Sequence, residues 1–245
     1  MQCEIRSFIG TRSVQEDCAD QCRTDCGLFV TVCDGIGSRS DGGASSRLAV
    51  QLFIERFSGF DGSDFPKFII SAAEAVDAEV YKTYGNNCGT TAVCAFITGM
   101  SLYWLSIGDS RMYILRDNRL RQITTDHNYR YVLDLRLRKG IIDKETYNKE
   151  LSRGECLASF IGMGGVDIVD VSMQPISLRE GDKLLLATDG LYKSLTEGTV
   201  YDIISADDKP DIIADSLMKS VMECDFPLDN TTFALIDLTK TEEVL

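Results

Sequence analysis

The 245-residue chain has one histidine, His127, and no two cysteines separated by two residues. That argues against a zinc site built on imidazoles or paired thiolates. It also leaves no second imidazole for a Ser-His-Asp relay, and His127 reads as a structural hydrogen-bonder before it reads as a general acid or base. Basic residues are scarce and unclustered, 25 against 38 acids for a net charge of -13. A nucleic-acid binder is normally basic on at least one face, so no nucleic-acid partner is expected. No proline-rich linker, low-complexity run or internal repeat divides the chain, and a single domain over 1–245 is expected. No P-loop is present, and Gly162-Met163-Gly164-Gly165 opens no convincing helix, which argues against a dinucleotide site. Residues 1–10 contain Glu4 and Arg6 and no apolar core, unlike a secretory leader. With nine cysteines, an odd count, the expectation is reduced thiols and a cytoplasmic location. Cys18, Cys22 and Cys26 are spaced by four, which fits strand and turn better than a metal cluster. The uncharged run Gly89 to Gly108 is long enough to cross a bilayer. Its Thr, Ser and β-branched content and the central Thr98-Gly99 fit two strands, Thr91–Ile97 and Ser101–Ile107, better than a membrane span.

What the chain does have is acids at the ends of apolar strands. Phe29-Val30-Thr31-Val32 reads as a buried strand that runs into Asp34-Gly35-Ile36-Gly37. Leu184-Leu185-Leu186-Ala187-Thr188 runs into Asp189-Gly190, and Leu105-Ser106-Ile107-Gly108 into Asp109-Ser110. A carboxylate at the tip of a buried strand is costly unless something positive sits on it. Glycine lets the backbone come close to that group. A hard divalent cation, held by Asp34 and the Gly35 carbonyl, is the natural candidate.

Taken in order, the chain reads as strands at 3–10, 18–23 and 27–33, then helices at Asp41–Phe57 and Asp64–Tyr84 with apolar residues three and four apart. The uncharged hairpin follows, then strands at Ser110–Leu115 and Leu120–Thr124 around an Asp117-Asn118 turn. Residues 129–165 are charged, with helical patches at Tyr129–Arg138 and Asp143–Leu151. This insert is a lid or recognition candidate, or a plain pair of surface helices. Strands are expected at Ile168–Met173 and Lys183–Thr188, helices at Thr196–Ser205 and Asp211–Cys224, and a last strand at Thr231–Leu238. The fold class is α+β, antiparallel sheets with helices packed outside.

The acids at strand ends or beside them are Glu16, Asp17, Asp34, Asp109, Asp189 and Asp229. Gathered in one place they would repel and raise each other's pKa values. Divalent cations reverse that, and an oxygen-only donor set points to Mg²⁺ or Mn²⁺. Two such ions about 4 Å apart share a water and lower its pKa, so that hydroxide can attack phosphorus in line. Arg12, four residues before Glu16, could hold the phosphate through bidentate contacts, or simply pair with Glu16 or Asp17 at the surface.

The runs RSVQEDC (Arg12–Cys18), VCDGIGS (Val32–Ser38), CGTTAV (Cys88–Val93), IGDSRMYILRDNRLRQITTDHN (Ile107–Asn128), LLLATDGLYKSL (Leu184–Leu195) and DNTT (Asp229–Thr232) stand in one order across nearly the whole chain. In that set the chain resembles the metal-dependent Ser/Thr protein phosphatases of the PPM (type 2C) family, and most closely its compact bacterial members. The resemblance implies a central β-sandwich of two antiparallel sheets flanked by helices on both sides, in four αββα layers. It implies hydrolysis of phosphoserine and phosphothreonine in proteins with two Mg²⁺ or Mn²⁺ ions. Asp34 would bridge the metals, the Gly35 carbonyl would bind one, and Asp189 and Asp229 would complete a site. Glu16 and Asp17 would act beside it through water, Arg12 would bind the substrate phosphate, and 129–165 would be the family's variable flap. Phosphorylated proteins, a cognate Ser/Thr kinase and a monomeric state, with no membrane partner, go with that picture.

Three departures stand out. Gln15 replaces the common Asn. Ile36 stands where many eukaryotic members carry a histidine, as in bacterial members with an apolar residue there. Lys193 lies four residues after Asp189, where the family often has another acid for a third metal. Asp109 remains as the other half of that site, but a lysine ammonium would repel or replace the third cation, so the third metal is disfavoured. Two other readings stay open on the residues alone: a catalytically weak or inactive binding or scaffold protein of the same fold, and a hydrolase of small phosphate esters.

Overall fold

The computed structural model describes residues 1–11, 14, 16–37, 41–85, 88–224 and 229–238. In chain order its elements are β1 (Gln2–Phe8), β2 (Cys18–Thr24), β3 (Gly27–Cys33), β4 (Gly35–Gly37), α1 (Asp41–Ser58), α2 (Phe65–Tyr84), β5 (Cys88–Thr90), β6 (Ala92–Thr98), β7 (Ser101–Ile107), β8 (Arg111–Arg116) and β9 (Arg119–Gln122). Then come α3 (Tyr129–Arg138), α4 (Lys144–Glu150), β10 (Asp170–Val171), β11 (Ile176–Ser177), β12 (Lys183–Ala187), α5 (Asp189–Ser194), α6 (Glu197–Ile204), α7 (Pro210–Met222) and β13 (Thr231–Asp237).

Strand β3 is apolar on both faces because it is covered on both. Leu28, Val30 and Val32 enter one core, and Phe29 and Cys33 enter another. That alternation, the two-residue period of a strand, sorts the whole chain into layers. One antiparallel sheet runs β10-β7-β6-β3-β2, with β11 also on β7, and the other runs β1-β13-β12-β8-β9. Between them Val30, Val32, Val93 and Ala95 meet Met112, Leu184, Leu186 and Ala234. Outside the first sheet lie α1 and α2, whose Phe53, Phe57, Ile69 and Val76 pack on Phe29, Cys94, Phe96 and Leu105. Phe29 and Phe57 stack with ring centroids 4.6 Å apart, and each fully buried ring contributes roughly 1.5–3 kcal/mol of burial. Outside the second sheet lie α5, α6 and α7, packed through Leu191, Val200, Ile213 and Leu217 on Leu185, Ala187, Phe233 and Leu235. The result is the expected αββα sandwich.

Local signals set the ends of these elements. Asp64 caps α2 by accepting from the Lys67 amide at 3.1 Å, and Pro66 sits in the first turn. Asp117 and Asn118 both have positive φ (51° and 55°), the two-residue hairpin turn expected between β8 and β9. The uncharged run is the hairpin β6–β7. Cys18 and Cys22 lie on β2 and Cys26 follows in its turn. Among the described residues no helix is long and apolar enough to cross a membrane.

Three expectations need correction. The strand expected at Ile168–Met173 is only Asp170–Val171, because only those residues pair with the edge of β7. The strand expected at Lys183–Thr188 stops at Ala187, and Asp189 opens the short helix α5 instead of ending a strand. Gly35–Gly37 pairs with Cys88–Thr90, across α1 and α2 in sequence, as a separate two-stranded antiparallel sheet, which glycine-rich three-residue strands do not announce by any period.

Candidate active site

Both sheets end their central strands at the same edge of the sandwich, and the acids sit there. Asp34 follows β3. Its amide donates to Thr91 Oγ1 at 3.0 Å, and its carbonyl accepts from the Thr91 amide at 2.9 Å and the Thr90 hydroxyl at 2.8 Å. Thr91 Oγ1 lies 2.6 Å from Ser110 Oγ, so one hydroxyl pair joins the Asp34 loop to the residue after Asp109. The Gly35 amide donates to the Glu16 carbonyl at 3.0 Å. A side chain at Gly35 would strike the Gly42 and Glu16 carbonyls, so only glycine lets β4 lie against the start of α1. Glu16 and Asp17 are both buried.

On the other sheet the same device recurs. A side chain at Gly190 would strike the Asn230 carbonyl and the Thr231 hydroxyl, so the start of α5 seats on the segment that carries Asp229. The Asn230 amide donates to Asp229 Oδ1 at 3.0 Å. The Asn230 side chain accepts from the Gly10 amide at 2.8 Å and donates to the Val14 carbonyl at 2.6 Å. It thereby ties Asp229 to the loop that includes Arg12. Arg12 itself and Gln15 lie outside the described residues. Thr188 joins the two halves, its hydroxyl donating to Asp17 Oδ2 at 2.8 Å while accepting from the Thr232 amide at 3.0 Å.

The electrostatics show that these carboxylates share a field. The Asp17 and Asp34 carboxyls hydrogen-bond each other. Burial first, then the charges of Asp17, Asp189 and Asp109, hold Asp34 well above the usual carboxylate range. Burial also raises Asp17, with Asp189 and Asp229 adding to the shift against the hydrogen bonds from Thr188 and Asp34. Asp109 is pushed up to about 6, by burial and then by Asp189. Lys193, one helical turn along α5, forms an ion pair with Asp189 Oδ2. Burial works against its charge, but Asp189, and more weakly Asp109 and Asp229, hold it above the ordinary lysine value. The next-door Tyr192 donates its hydroxyl to the Asp109 carbonyl at 3.1 Å. The Arg111 guanidinium lies 3.5 Å over the Tyr192 ring and is paired with Asp126 at 2.7 Å.

Among the described residues no three Asp, Glu, His or Cys side chains stand as a ready-made cation site. Asp34 instead lies against Asp17, and Asp189 is paired with the Lys193 ammonium. The donor set is oxygen throughout, and its raised carboxyl pKa values record a demand for positive charge. In kind it fits hard divalent cations.

The structure brings Asp17, Asp34, Asp109, Asp189 and Asp229 into one field. His127 is fully buried, accepts from the Gly108 amide through Nδ1 at 3.3 Å, and faces Asp170 at 3.6 Å. That is the position of a structural hydrogen-bonder. Residues 129–165 leave the sheet beside His127 and return through backbone bonds between Thr90 and Ile161, one residue from Thr91. Asp77 of α2 fastens that return by accepting from the Gly162 and Met163 amides at 2.7 and 3.0 Å. The sequence reading assigned no role to Thr91, Thr188, Asn230 or Asp77. The available signal was polarity at buried strand ends, where a hydroxyl or amide must be bonded to something.

A family model described as protein phosphatase 2C matches residues 6–207. The serine/threonine phosphatase stp of Listeria welshimeri is 29% identical over 188 residues, 73% of this chain and 72% of the relative. The serine/threonine phosphatase of S. agalactiae superposes with a TM-score of 0.83 at 21% identity, over 97% of this chain and 99% of the other. The catalytic domain of the phosphatase PstP, solved in complex with two manganese ions, gives 0.77 at 23% identity over 98% of each chain. The structural likenesses establish the fold.

Proposed function

The chain belongs to the protein phosphatase 2C family, and on that premise we propose that it hydrolyses phosphoserine and phosphothreonine in proteins with two Mg²⁺ or Mn²⁺ ions. The observation that carries the proposal is the convergence of five carboxylates from separate stretches of chain into one shared field. When bound, two hard cations lower the pKa of a water between them and neutralise charge on the phosphoryl oxygens. Asp34, Asp189, Asp229 and the Gly35 carbonyl hold the cations. Thr90 and Thr91 fix the Asp34 backbone from two directions, so its carboxylate is aimed before anything binds. Glu16 and Asp17 stand beside the site, where Asp17 is oriented by the Thr188 hydroxyl. Asn230 holds Gly10 and Val14 next to the segment of Asp229, and Arg12, which lies between them in sequence, is the residue assigned to grip the substrate phosphate. The leaving oxygen takes its proton from solvent, because the side chain after Asp34-Gly35 is Ile36.

The whole of 1–245 acts as one catalytic unit, with 129–165 as a flap on the site's border. Phosphoproteins made by a cognate Ser/Thr kinase are its substrates, met in the cytoplasm by a monomer, with no membrane or nucleic acid involved. Turnover of an aryl phosphate and of a phosphothreonine peptide with Mn²⁺ tests the reading. Asp189→Asn should lower both by about 10²–10³-fold, the scale of losing one group that stabilises transition-state charge. An unaffected variant, or turnover that survives EDTA, would defeat it. One observation favours a second reading, a weak or inactive binding protein: the ion pair of Lys193 on Asp189. Such a protein would show no Mn²⁺ binding at micromolar levels by calorimetry.

A further inference from the structure

We propose that Lys193 is an internal cation that opposes metal loading at Asp189, so that the site fills only at a higher concentration of divalent ion than its carboxylates alone would need. The inference rests on the reading of Asp189 as a metal ligand. It starts from a contact: the Lys193 ammonium is bonded to Asp189 Oδ2. A carboxylate oxygen that holds an ammonium is neutralised and occupied. A cation arriving there must displace the ammonium or bind beside a like charge, and either way its affinity falls.

The local fold makes this contact rigid at one end and loose at the other. Asp189 is the first residue of α5, and Gly190 is seated on Asn230 and Thr231 with no space to shift. The Asp189 side chain is only 14% exposed, so it has little freedom to turn away. Lys193 sits at i+4 on the same helix face, where its stem lies along the helix toward Asp189. Its side chain is 54% exposed, so the ammonium has water to move into. The charges of Asp109 and Asp229 also act on it, more weakly than that of Asp189. A surface i,i+4 pair would have neither a buried partner nor this surrounding charge.

The gate predicts an exchange. Without metal, the ammonium supplies the positive charge that the Asp189 side of the site lacks. As Mn²⁺ enters, the ammonium leaves for solvent and remains tethered nearby. No covalent step is involved, and the cost of breaking the pair is deducted from the metal's affinity.

The test is calorimetric titration of the full chain with Mn²⁺, beside Lys193→Met, which keeps the length and loses the charge, and Lys193→Arg, which keeps the charge. Lys193→Met should bind Mn²⁺ about tenfold more tightly, the scale of one charge-assisted hydrogen bond no longer broken. Its metal-free melting temperature should fall, since the acids lose their counter-ion, and its gain on adding Mn²⁺ should exceed that of the parent chain. Lys193→Arg should stay near the parent in both. The parent–Met difference should shrink in 1 M salt, where exposed charge is screened. Equal Mn²⁺ affinity in the parent and Lys193→Met would overturn the gate alone, as would weaker binding by Lys193→Met. No binding to either protein would overturn the metal reading and the gate with it.

Discussion

The two halves of the acid cluster solve one problem in different ways. On the sheet that carries β3, Asp34 and Asp17 approach each other, and burial raises both carboxyls. On the sheet that carries β12 and β13, Asp189 is met by the ammonium of Lys193. Both halves crowd carboxylates at strand ends, where desolvation penalises the charged form. The first half gives up charge; the second keeps it and brings a counter-charge along the helix. A proton is lost on raising the pH through the neutral range, whereas an ammonium is not. The halves should therefore part company when metal, pH or sequence is changed.

The largest effect expected is that of metal on stability. Saturating Mn²⁺ should raise the melting temperature by roughly 10 °C over EDTA, from about 3–4 kcal/mol of binding linkage in a chain of this size. In EDTA the melting temperature should also fall as pH rises. Asp34, Asp17 and Asp109 have folded-state pKa values above their unfolded ones, and Asp109 reaches about 6. Between about pH 4, the ordinary carboxylate value, and the folded values, the native state binds more protons than the unfolded chain. Stability then decreases with rising pH across that window, and the full penalty is present above it. Lys193, also raised, contributes stability that is complete below the ordinary lysine value near pH 10.4 and is lost only as pH rises through its still higher folded value. The Lys193 ammonium is therefore unchanged between pH 5 and 8. Melting curves at pH 5.5 and 8, with EDTA and with Mn²⁺, check this. A slope that survives Mn²⁺, or rises with pH in EDTA, would break the contrast.

A smaller effect separates the halves by mutation. Asp34→Asn offers Asp17 a neutral amide in place of a carboxyl, and should raise the metal-free melting temperature at pH 8 by on the order of 5 °C through relief of buried like charge. Asp189→Asn strands Lys193 and should give no such gain. Equal shifts in thermal melts of the two variants would show that the halves are not distinct in the way described.

The smallest effect concerns the bridge between them. Thr188→Val removes the donor to Asp17 and the acceptor for the Thr232 amide. It should cost about 1 kcal/mol, or roughly 3 °C, as a net hydrogen-bond loss. It should also raise the pH at which the EDTA melting temperature levels off, because Asp17 would lose a bond that favours its charged form. A melting temperature and pH profile identical to the parent's would remove Thr188 from the account.

Much of this was legible in the residues. The run from Phe29 to Val32, apolar on every position but one, announced a strand covered on both faces. The Asp-Gly pairs at its end and at Asp189 marked a close approach, which the residues alone gave to a cation and which the structure gives to neighbouring backbone. Asp64, Pro66 and the Asp117-Asn118 pair reported their own caps and turn, since those depend on chemistry within a few residues. The elements that escaped were those too short to show a period. Residues 189–194, which form α5, were assigned no element, so the four-residue spacing of Asp189 and Lys193 was not read as a pair on one helix face. The β4–β5 sheet, three residues a side and glycine-rich, was not read at all. Thr91, Thr188 and Asn230 had no assigned role because their partners lie 57, 171 and 216 residues away in sequence.

By itself the sequence determined the layer pattern, the acid inventory and the oxygen-only donor chemistry. Side-chain type and alternation are local properties, and hydrophobic burial acts on them wherever the chain goes. Only the tertiary structure decided how the acids are arranged: which carboxyls lie together, which takes the lysine, and which hydroxyl joins the two sheets. Those outcomes depend on distances of a few ångströms between residues far apart in the chain, and Coulomb energy and hydrogen bonding are set by such distances and not by composition.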